Sequence, residues 1–212
     1  VGDRVSGQGA RDDVADAASQ DERRVSALDR GFQMAKDMTV AAVLDSRAAT
    51  YSMLARLYRS ELDADYLAKL RQMCCPVNTG NADVDAGYKL LHSFLSHVWE
   101  RTLEDAARDY LRVFIGSNTT GHAAAYPNES VHTSAERLVM QDARDEVLAV
   151  YRAAGLESSS RWRSGEDHIA CELEYMQVMS ERAAAACAAE DMTKAASTLM
   201  AQHHFLDDHL LG

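Results

Sequence analysis

The stretch EDHIACELEYMQVMSERAAAACAAE, residues 166–190, decides the fold class of this chain. It contains neither proline nor glycine, and it is rich in alanine, methionine and glutamate, which are good helix formers. Its large apolar residues recur at three- and four-residue steps, which is the spacing of a helix with one buried stripe. Ser164 and Asp167 are spaced like a capping pair. The stretch therefore predicts a helix from Glu166 to about Glu190.

The rest of the chain has the same helical character. Only Pro76 and Pro127 interrupt its 212 residues, and no alternating run of β-branched residues lies between turn residues. No internal repeat and no linker rich in proline or glycine divides the sequence. We therefore expect an all-α fold, a single-domain helical bundle of about seven to nine helices.

The expected boundaries follow from apolar spacing and capping residues. Residues 1–22 carry almost no large apolar side chain, which predicts a disordered or loosely packed tail before an all-helical domain over 23–212. Besides the helix over 166–190, one or two helices are expected over 32–58, and a short helix is expected after Asp63. A capping box of Thr102 and Asp105 is expected to start a helix over 103–114. Further helices are expected over 83–100, over 134–154 and from Asp191 to Leu210. Gly116 to Asn128 is expected to be the longest clear loop, and Gly155 to end a helix.

The charge and the cysteines narrow the classes of function. Lys plus Arg number 22 against 33 Asp plus Glu, a net charge of -11, so the chain repels nucleic acid and attracts basic peptides. The four cysteines match neither a zinc site nor a disulfide framework, which indicates reduced thiols. No apolar run approaches the roughly 20 residues that span a bilayer. A cytoplasmic location without a membrane span is therefore expected.

Enzymatic and metal-binding alternatives have weaker support. Neither G-x-G-x-x-G nor G-x-x-x-x-G-K-[ST] occurs, and no spacing implies a catalytic triad, so we expect no enzyme. His203 and His204 each stand four residues before an aspartate, which offers paired ligands on a helix. A di-iron bundle needs two Glu-x-x-His pairs, however, and only Glu129 to His132 supplies one. A metal-binding helical protein and a general helical adaptor stay open as alternatives.

Three segments, taken together, resemble the TorD family of redox-enzyme maturation chaperones. They are DYLRVFIG at 109–116, similar to the family's D-Y-x-R-L-F-V-G; YPNESVH at 126–132, similar to P-P-Y-E-S-V-Y; and DHIACELEYM at 167–176, similar to D-H-I-x-x-E-L-x-F-M. Their order and separations also fit. The chain departs from the family at Ser164-Gly165, where Glu-Pro is usual, and at Tyr126, which replaces the first proline of the loop.

The resemblance implies a cofactor-free, all-helical chaperone that binds the twin-arginine signal peptide of a molybdenum oxidoreductase. The partner would be the apo form of an enzyme of the DMSO- or TMAO-reductase type, retained until its molybdenum cofactor is loaded. Guanine nucleotide binding and a homodimer formed by helix exchange have been associated with the family. No phosphate-binding motif in this sequence supports the nucleotide.

The resemblance and the helical pattern together suggest a signal-peptide site. If Ile169, Leu173 and Met176 face the core, the neighbouring face of this helix carries polar side chains beside apolar ones. Its carboxylates could bind the guanidinium groups of a peptide. The candidate residues are Asp167, His168, Glu172, Tyr175, Pro127, Glu129 and, more weakly, Trp99. The alternative is structural: Asp167 caps its helix, His168 pairs with Glu172, and Phe94 and Trp99 pack in the core.

Overall fold

The computed structural model describes residues 39–73, 75–76, 78–116, 124–159 and 161–211. Within these ranges the chain forms helices and no strand, which confirms the predicted all-α class. The helices are α1 (Val40–Arg59), α2 (Ala64–Gln72), α3 (Ala82–Ser96), α4 (Thr102–Tyr110), α5 (Glu129–Thr133), α6 (Asp142–Ala153), α7 (Ile169–Ala188) and α8 (Met192–Phe205). The π-helical segments Leu111–Ile115 and Leu206–Leu210 continue α4 and α8. The expected tail, residues 1–22, lies outside the described residues, as does the expected start of the first helix.

Polar side chains begin several of these helices by accepting hydrogen bonds from free backbone amides. Asp63 accepts from the amide of Tyr66 at 2.7 Å, and Asp191 accepts from the amide of Lys194 at 3.0 Å. Each bond satisfies one of the donors that the first turn of a helix leaves without a partner. The predicted starts of α2 and α8 are therefore confirmed.

Helix α7 is the centre of the bundle. It packs along α1 over much of its length, and it also packs against α8. Toward its end, Ala183 and Ala184 are buried with Leu44 of α1, because alanine lets two helix backbones approach closely. Near its start, Met176 and Tyr175 join Phe205 and other apolar residues in the largest side-chain cluster. No described helix is both long and apolar enough to cross a lipid bilayer.

A second apolar cluster joins α2 and α3 to the end of α1. Leu67, Leu70 and Leu95 form its buried part, and Met53 and Leu57 of α1 pack against it. This cluster fixes the end of α1, where Arg59 enters the site described below.

Several predicted boundaries were wrong, for local physical reasons. The helix expected over 134–154 begins only at Asp142, because Arg137 and Met140 adopt positive φ angles of 52° and 63° that a right-handed helix does not allow. The expected capping box is absent, since the hydroxyl of Thr102 accepts from the amide of Trp99 before the helix. Helix α3 ends at Ser96, not near residue 100. Gly155, with φ of 68°, ends α6 as predicted.

Candidate functional site

Backbone hydrogen bonds join the second and third signature segments side by side. The amide of Glu129 donates to the carbonyl of Asp167 at 2.9 Å, and the amide of Ile169 donates to the carbonyl of Pro127 at 2.8 Å. Asn128 and His168 thereby form an isolated antiparallel bridge. Two segments that are far apart in sequence are thus held in register at the start of α7.

Asp167 lies beneath this bridge and is fully buried, with an exposed fraction of 0%. Its carboxylate accepts hydrogen bonds from the side-chain amide of Asn128 at 3.1 Å and from the backbone amide of Ser130 at 3.0 Å. Asp167 therefore caps the start of α5, not the start of its own helix, which begins only at Ile169. A Cβ atom on Gly165 would lie 2.3 Å from this carboxylate, which explains why glycine stands there.

His168 precedes α7 and caps its first turn. Its Nδ1 atom accepts a hydrogen bond from the amide of Ala170 at 3.1 Å, which requires that nitrogen to be unprotonated. Burial lowers the pKa of His168 to about 4, although the neighbouring charge of Asp167 acts in the opposite direction. The imidazole is therefore neutral near pH 7. Its ring meets Trp162 at a near-perpendicular angle of 84°, with the ring centroids 5.1 Å apart.

Two further acidic residues, Glu129 and Glu172, lie near Asp167 in the interior. Glu129 contacts the imidazole of His209 at 3.1 Å, and both side chains are almost completely buried. Glu172 is 2% exposed, and its Oε1 atom has no hydrogen-bond partner among the described residues. Burial raises the pKa of Glu172 to about 9, and the charges of Glu129 and Asp167 act in the same direction. Glu172 is therefore protonated near neutral pH. We call Glu129, Asp167, Glu172 and His209 the buried acidic cluster.

An open cavity of about 1020 Å³ lies next to this cluster. All three signature segments reach it, since Phe114, Pro127 and His168 come from the first, second and third segment respectively. Its apolar and aromatic lining consists of Tyr110, Phe114, Ile115, Tyr126, Pro127, Val139, Tyr151, Leu156, Trp162, Tyr175 and Val178. Such a surface suits an apolar segment of a partner.

The π-helical segment after α4 shapes one side of this cavity. It places Phe114 against the rings of Tyr58 and Tyr110, with centroid distances of 5.6 and 5.1 Å. Gly116 ends the segment with φ of 79°, and a Cβ atom there would lie 2.9 Å from the Cβ of Ala124. Only glycine meets both conditions without strain.

The charged part of the lining differs from the sequence expectation. It contains Arg59, Arg161 and Arg163 against two carboxylates, Glu157 and Glu174. The expected acidic flank beside an apolar strip is therefore wrong for this cavity, because burial removes Asp167 and Glu172 from it. Glu174 faces it instead, and it pairs with Arg59.

The seven candidate residues fall into three groups. Pro127, His168 and Tyr175 line the cavity. Asp167, Glu172 and Glu129 belong to the buried acidic cluster and are absent from the cavity lining. Trp99 is 57% exposed and also outside the lining, and Phe94 is 40% exposed, so the expected core packing of both was wrong.

The cavity residues that sequence reasoning missed include Arg59, Phe114, Trp162 and Glu174. Phe114 and Glu174 lie within signature segments, so an inspection of every face of those segments would have found them. Arg59 and Trp162 carried no such signal, since each is isolated from the signature segments in sequence.

The single Glu-x-x-His pair, Glu129 and His132, does not converge on a common point. Glu129 contacts His209, whereas the Nε2 atom of His132 donates to the carbonyl of Tyr126 at 2.9 Å. Among the described residues, no group of three or more His, Cys, Asp and Glu side chains could hold a metal ion. Burial raises the pKa of Cys171 to about 12, so this thiol of the cavity stays protonated and is a poor nucleophile.

Fold and site together define a class of protein, an all-helical bundle with an aromatic cavity at the start of its central helix. The family model described as Nitrate reductase delta subunit matches residues 79–212. The chain therefore belongs to this family of NarJ- and TorD-type chaperones, which serve the maturation of molybdoenzymes. Among curated proteins and solved structures, the comparisons found no match to it.

Proposed function

We propose that this chain is a cytoplasmic, non-catalytic chaperone that binds the twin-arginine signal peptide of a molybdoenzyme of the DMSO- or TMAO-reductase type. By covering that peptide, it holds the apoenzyme back from export until the molybdenum cofactor is loaded. The observation that carries the proposal is the convergence of all three signature segments on one aromatic cavity. Family membership supports the maturation role at the coarser level.

The lining of the cavity suits the apolar section of a peptide. Its volume of about 1020 Å³ is at the limit of the roughly 300–1,000 Å³ that small-molecule sites occupy, so the lining supports a peptide and the size does not decide. The rings of Tyr110, Phe114 and Tyr126 offer apolar area for the hydrophobic section of a signal peptide. We therefore assign the hydrophobic section of the peptide to this aromatic lining.

The basic section of the peptide has two carboxylates within reach of the cavity, Glu157 and Glu174. The net charge of -11 would also attract a basic peptide at longer range. Since a free signal peptide is disordered and orders on binding, the expected affinity is micromolar. Because part of the attraction is electrostatic, the affinity should fall as salt rises.

Calorimetric titration with three peptides tests the function. The first peptide carries the Arg-Arg pair, and the other two carry Lys-Lys or Ala-Ala at the same positions. The Arg-Arg peptide should bind most tightly, because guanidinium forms two-pronged bonds to carboxylates and stacks on aromatic rings. Equal binding of all three would contradict the proposal and favour a general helical adaptor.

A matched pair of variants tests whether the cavity is the site. Val178 lines the cavity, whereas Val43 is exposed on α1 and lies outside the lining. Val178→Arg places a bulky charge where the apolar section would bind, so the affinity should fall about tenfold or more, equivalent to about 1.4 kcal/mol. Val43→Arg should leave affinity unchanged. Equal affinity of both variants, with circular dichroism showing both folded, would place the site elsewhere.

The metal-binding alternative, and the homodimer and guanine nucleotide that the family resemblance suggests, each have a direct measurement. Elemental analysis of the purified protein tests for a bound metal, and light scattering on a sizing column tests for a homodimer formed by helix exchange. Guanine nucleotide binding can be sought by calorimetry. None of them is required for the proposed peptide binding.

A further inference from the structure

Arg59, the last residue of α1, extends its side chain into the cavity and contacts two other lining residues. Its guanidinium pairs with the carboxylate of Glu174 on α7. The guanidinium carbon also lies over the ring of Trp162, 5.7 Å from the ring centroid. An arginine of the protein itself therefore occupies a carboxylate and an aromatic face inside the candidate peptide site.

A carboxylate and an aromatic face are the two partners that guanidinium binds best. The carboxylate accepts its hydrogen bonds, and the ring attracts its charge and its flat face. We propose that Arg59 is an internal mimic of a peptide arginine, and that it leaves Glu174 and Trp162 when an arginine of the signal peptide takes its place. This inference rests on the proposed function and adds a specificity-determining residue to it.

The contact is weak enough to be displaced. The side chains of Arg59 and Glu174 are 36% and 44% exposed, and exposed ion pairs of this kind contribute little to stability. A buried pair would be much harder to separate, because breaking it would leave an unpaired charge away from water. Arg59 can therefore hold the guanidinium site in the free protein without closing it permanently.

The partners of Arg59 stay in place when it leaves. The indole nitrogen of Trp162 donates to the carbonyl of Gly165 at 3.0 Å, and its ring meets the buried ring of His168. Glu174 is fixed to α7, the central helix of the bundle. The guanidinium site is therefore preformed, which reduces the entropy lost when a peptide arginine binds.

Two neighbouring arginines provide matched controls. Arg161 and Arg163 line the same cavity, and neither forms an ion pair with a described residue. Replacing either with glutamine changes the charge of the cavity by the same amount as Arg59→Gln. Only Arg59→Gln, however, releases Glu174 and Trp162. A difference between these variants therefore reports the release of the site and not the charge alone.

The experiment is calorimetric titration of the full chain with the Arg-Arg and Lys-Lys peptides. Arg59→Gln should tighten binding of the Arg-Arg peptide roughly two- to fivefold, which corresponds to the free energy of an exposed ion pair. Arg161→Gln and Arg163→Gln should tighten it less. The gain should be smaller for the Lys-Lys peptide, since an ammonium group stacks less well on Trp162. The gain in affinity from Arg59→Gln should disappear when Glu174→Gln is also present.

Other outcomes overturn the inference. If Arg59→Gln binds the Arg-Arg peptide no more tightly than Arg161→Gln does, Arg59 is not a mimic. The proposed function still holds in that case, provided that the unaltered chain binds the Arg-Arg peptide more tightly than the Ala-Ala peptide. If the unaltered chain does not discriminate among the peptides, both proposals fail. Should Arg59→Gln unfold, Arg59→Lys replaces it, because it keeps the charge and loses the flat guanidinium that lies over Trp162. Binding by Arg59→Lys that is no tighter than that of the unaltered chain would also overturn the inference.

Discussion

The buried acidic cluster and the cavity adjoin the same first turns of α7, yet they differ in almost every physical property. The cluster contains carboxyl groups away from water, which contact the backbone amide of Ser130, the side-chain amide of Asn128 and a histidine. The cavity is open and mostly aromatic, with arginines more numerous than carboxylates. The comparison shows that acidic residues of a signature segment can serve the fold, while its neighbours one or two positions away face the cavity.

Helix geometry explains the division. Glu172 and Glu174 are two positions apart, which turns their side chains about 200° from each other around the helix axis. Glu172 therefore faces the interior, and Glu174 faces the cavity. The sequence alone presents both as acidic residues of one helix, so the choice between them depended on the direction in which α7 packs.

The largest expected effect concerns Asp167. Asp167→Ala would leave the amides of Asn128 and Ser130 buried without an acceptor. We expect the free energy of unfolding to fall by about 2 to 5 kcal/mol, as measured by urea denaturation. Asp167→Asn should cost less, since its oxygen can still accept one of the bonds. If Asp167→Ala kept its stability but lost affinity for the peptide, Asp167 would act in peptide binding and not in the fold. That result would contradict the distinction between the buried acidic cluster and the cavity.

Glu172 should give a smaller, pH-dependent effect. Its pKa is about 9 in the folded protein against an ordinary value of 4.5, so the folded state binds the extra proton. Stability is therefore lost as pH rises from about 4.5 to about 9. Glu172→Gln removes this loss and should raise the free energy of unfolding at pH 8 by on the order of 2 kcal/mol, with no gain at pH 4.5.

His168 supplies an internal control for that experiment. Its pKa is lowered to about 4 from an ordinary 6.5, so its contribution to stability is lost as pH falls through that window. This loss on the acid side should be the same in the unaltered chain and in Glu172→Gln. Identical stability curves for both proteins over the whole pH range would show that Glu172 is not buried as a neutral acid.

Trp99 should give the smallest effect. Because its side chain is exposed and lies outside the cavity lining, Trp99→Phe should leave the Arg-Arg peptide affinity unchanged. The bond from its backbone amide to the hydroxyl of Thr102 would remain. The free energy of unfolding should change by less than about 0.5 kcal/mol in thermal or urea denaturation. A clear loss of affinity would instead extend the binding surface beyond the cavity.

Much of the local structure could be predicted from the sequence. Asp63 and Asp191 identified helix starts because a capping bond involves residues only three positions apart. The same reasoning failed for Asp167, whose carboxylate caps α5, a helix far from it in sequence. It also failed over 134–154, where positive φ angles at Arg137 and Met140 keep residues 134–141 out of the expected helix.

The sequence by itself determined the helical class, several helix starts and ends, and the segments that belong to a maturation chaperone. These properties depend on the spacing of residues along the chain and on hydrogen bonds between residues close in sequence, so a single sequence is enough to predict them. Only the tertiary structure decided which face of α7 is buried and which one meets Arg59 and Trp162. That choice depends on how α1 and the segment before α7 pack against it, and contacts between residues so far apart leave no periodic pattern in the chain.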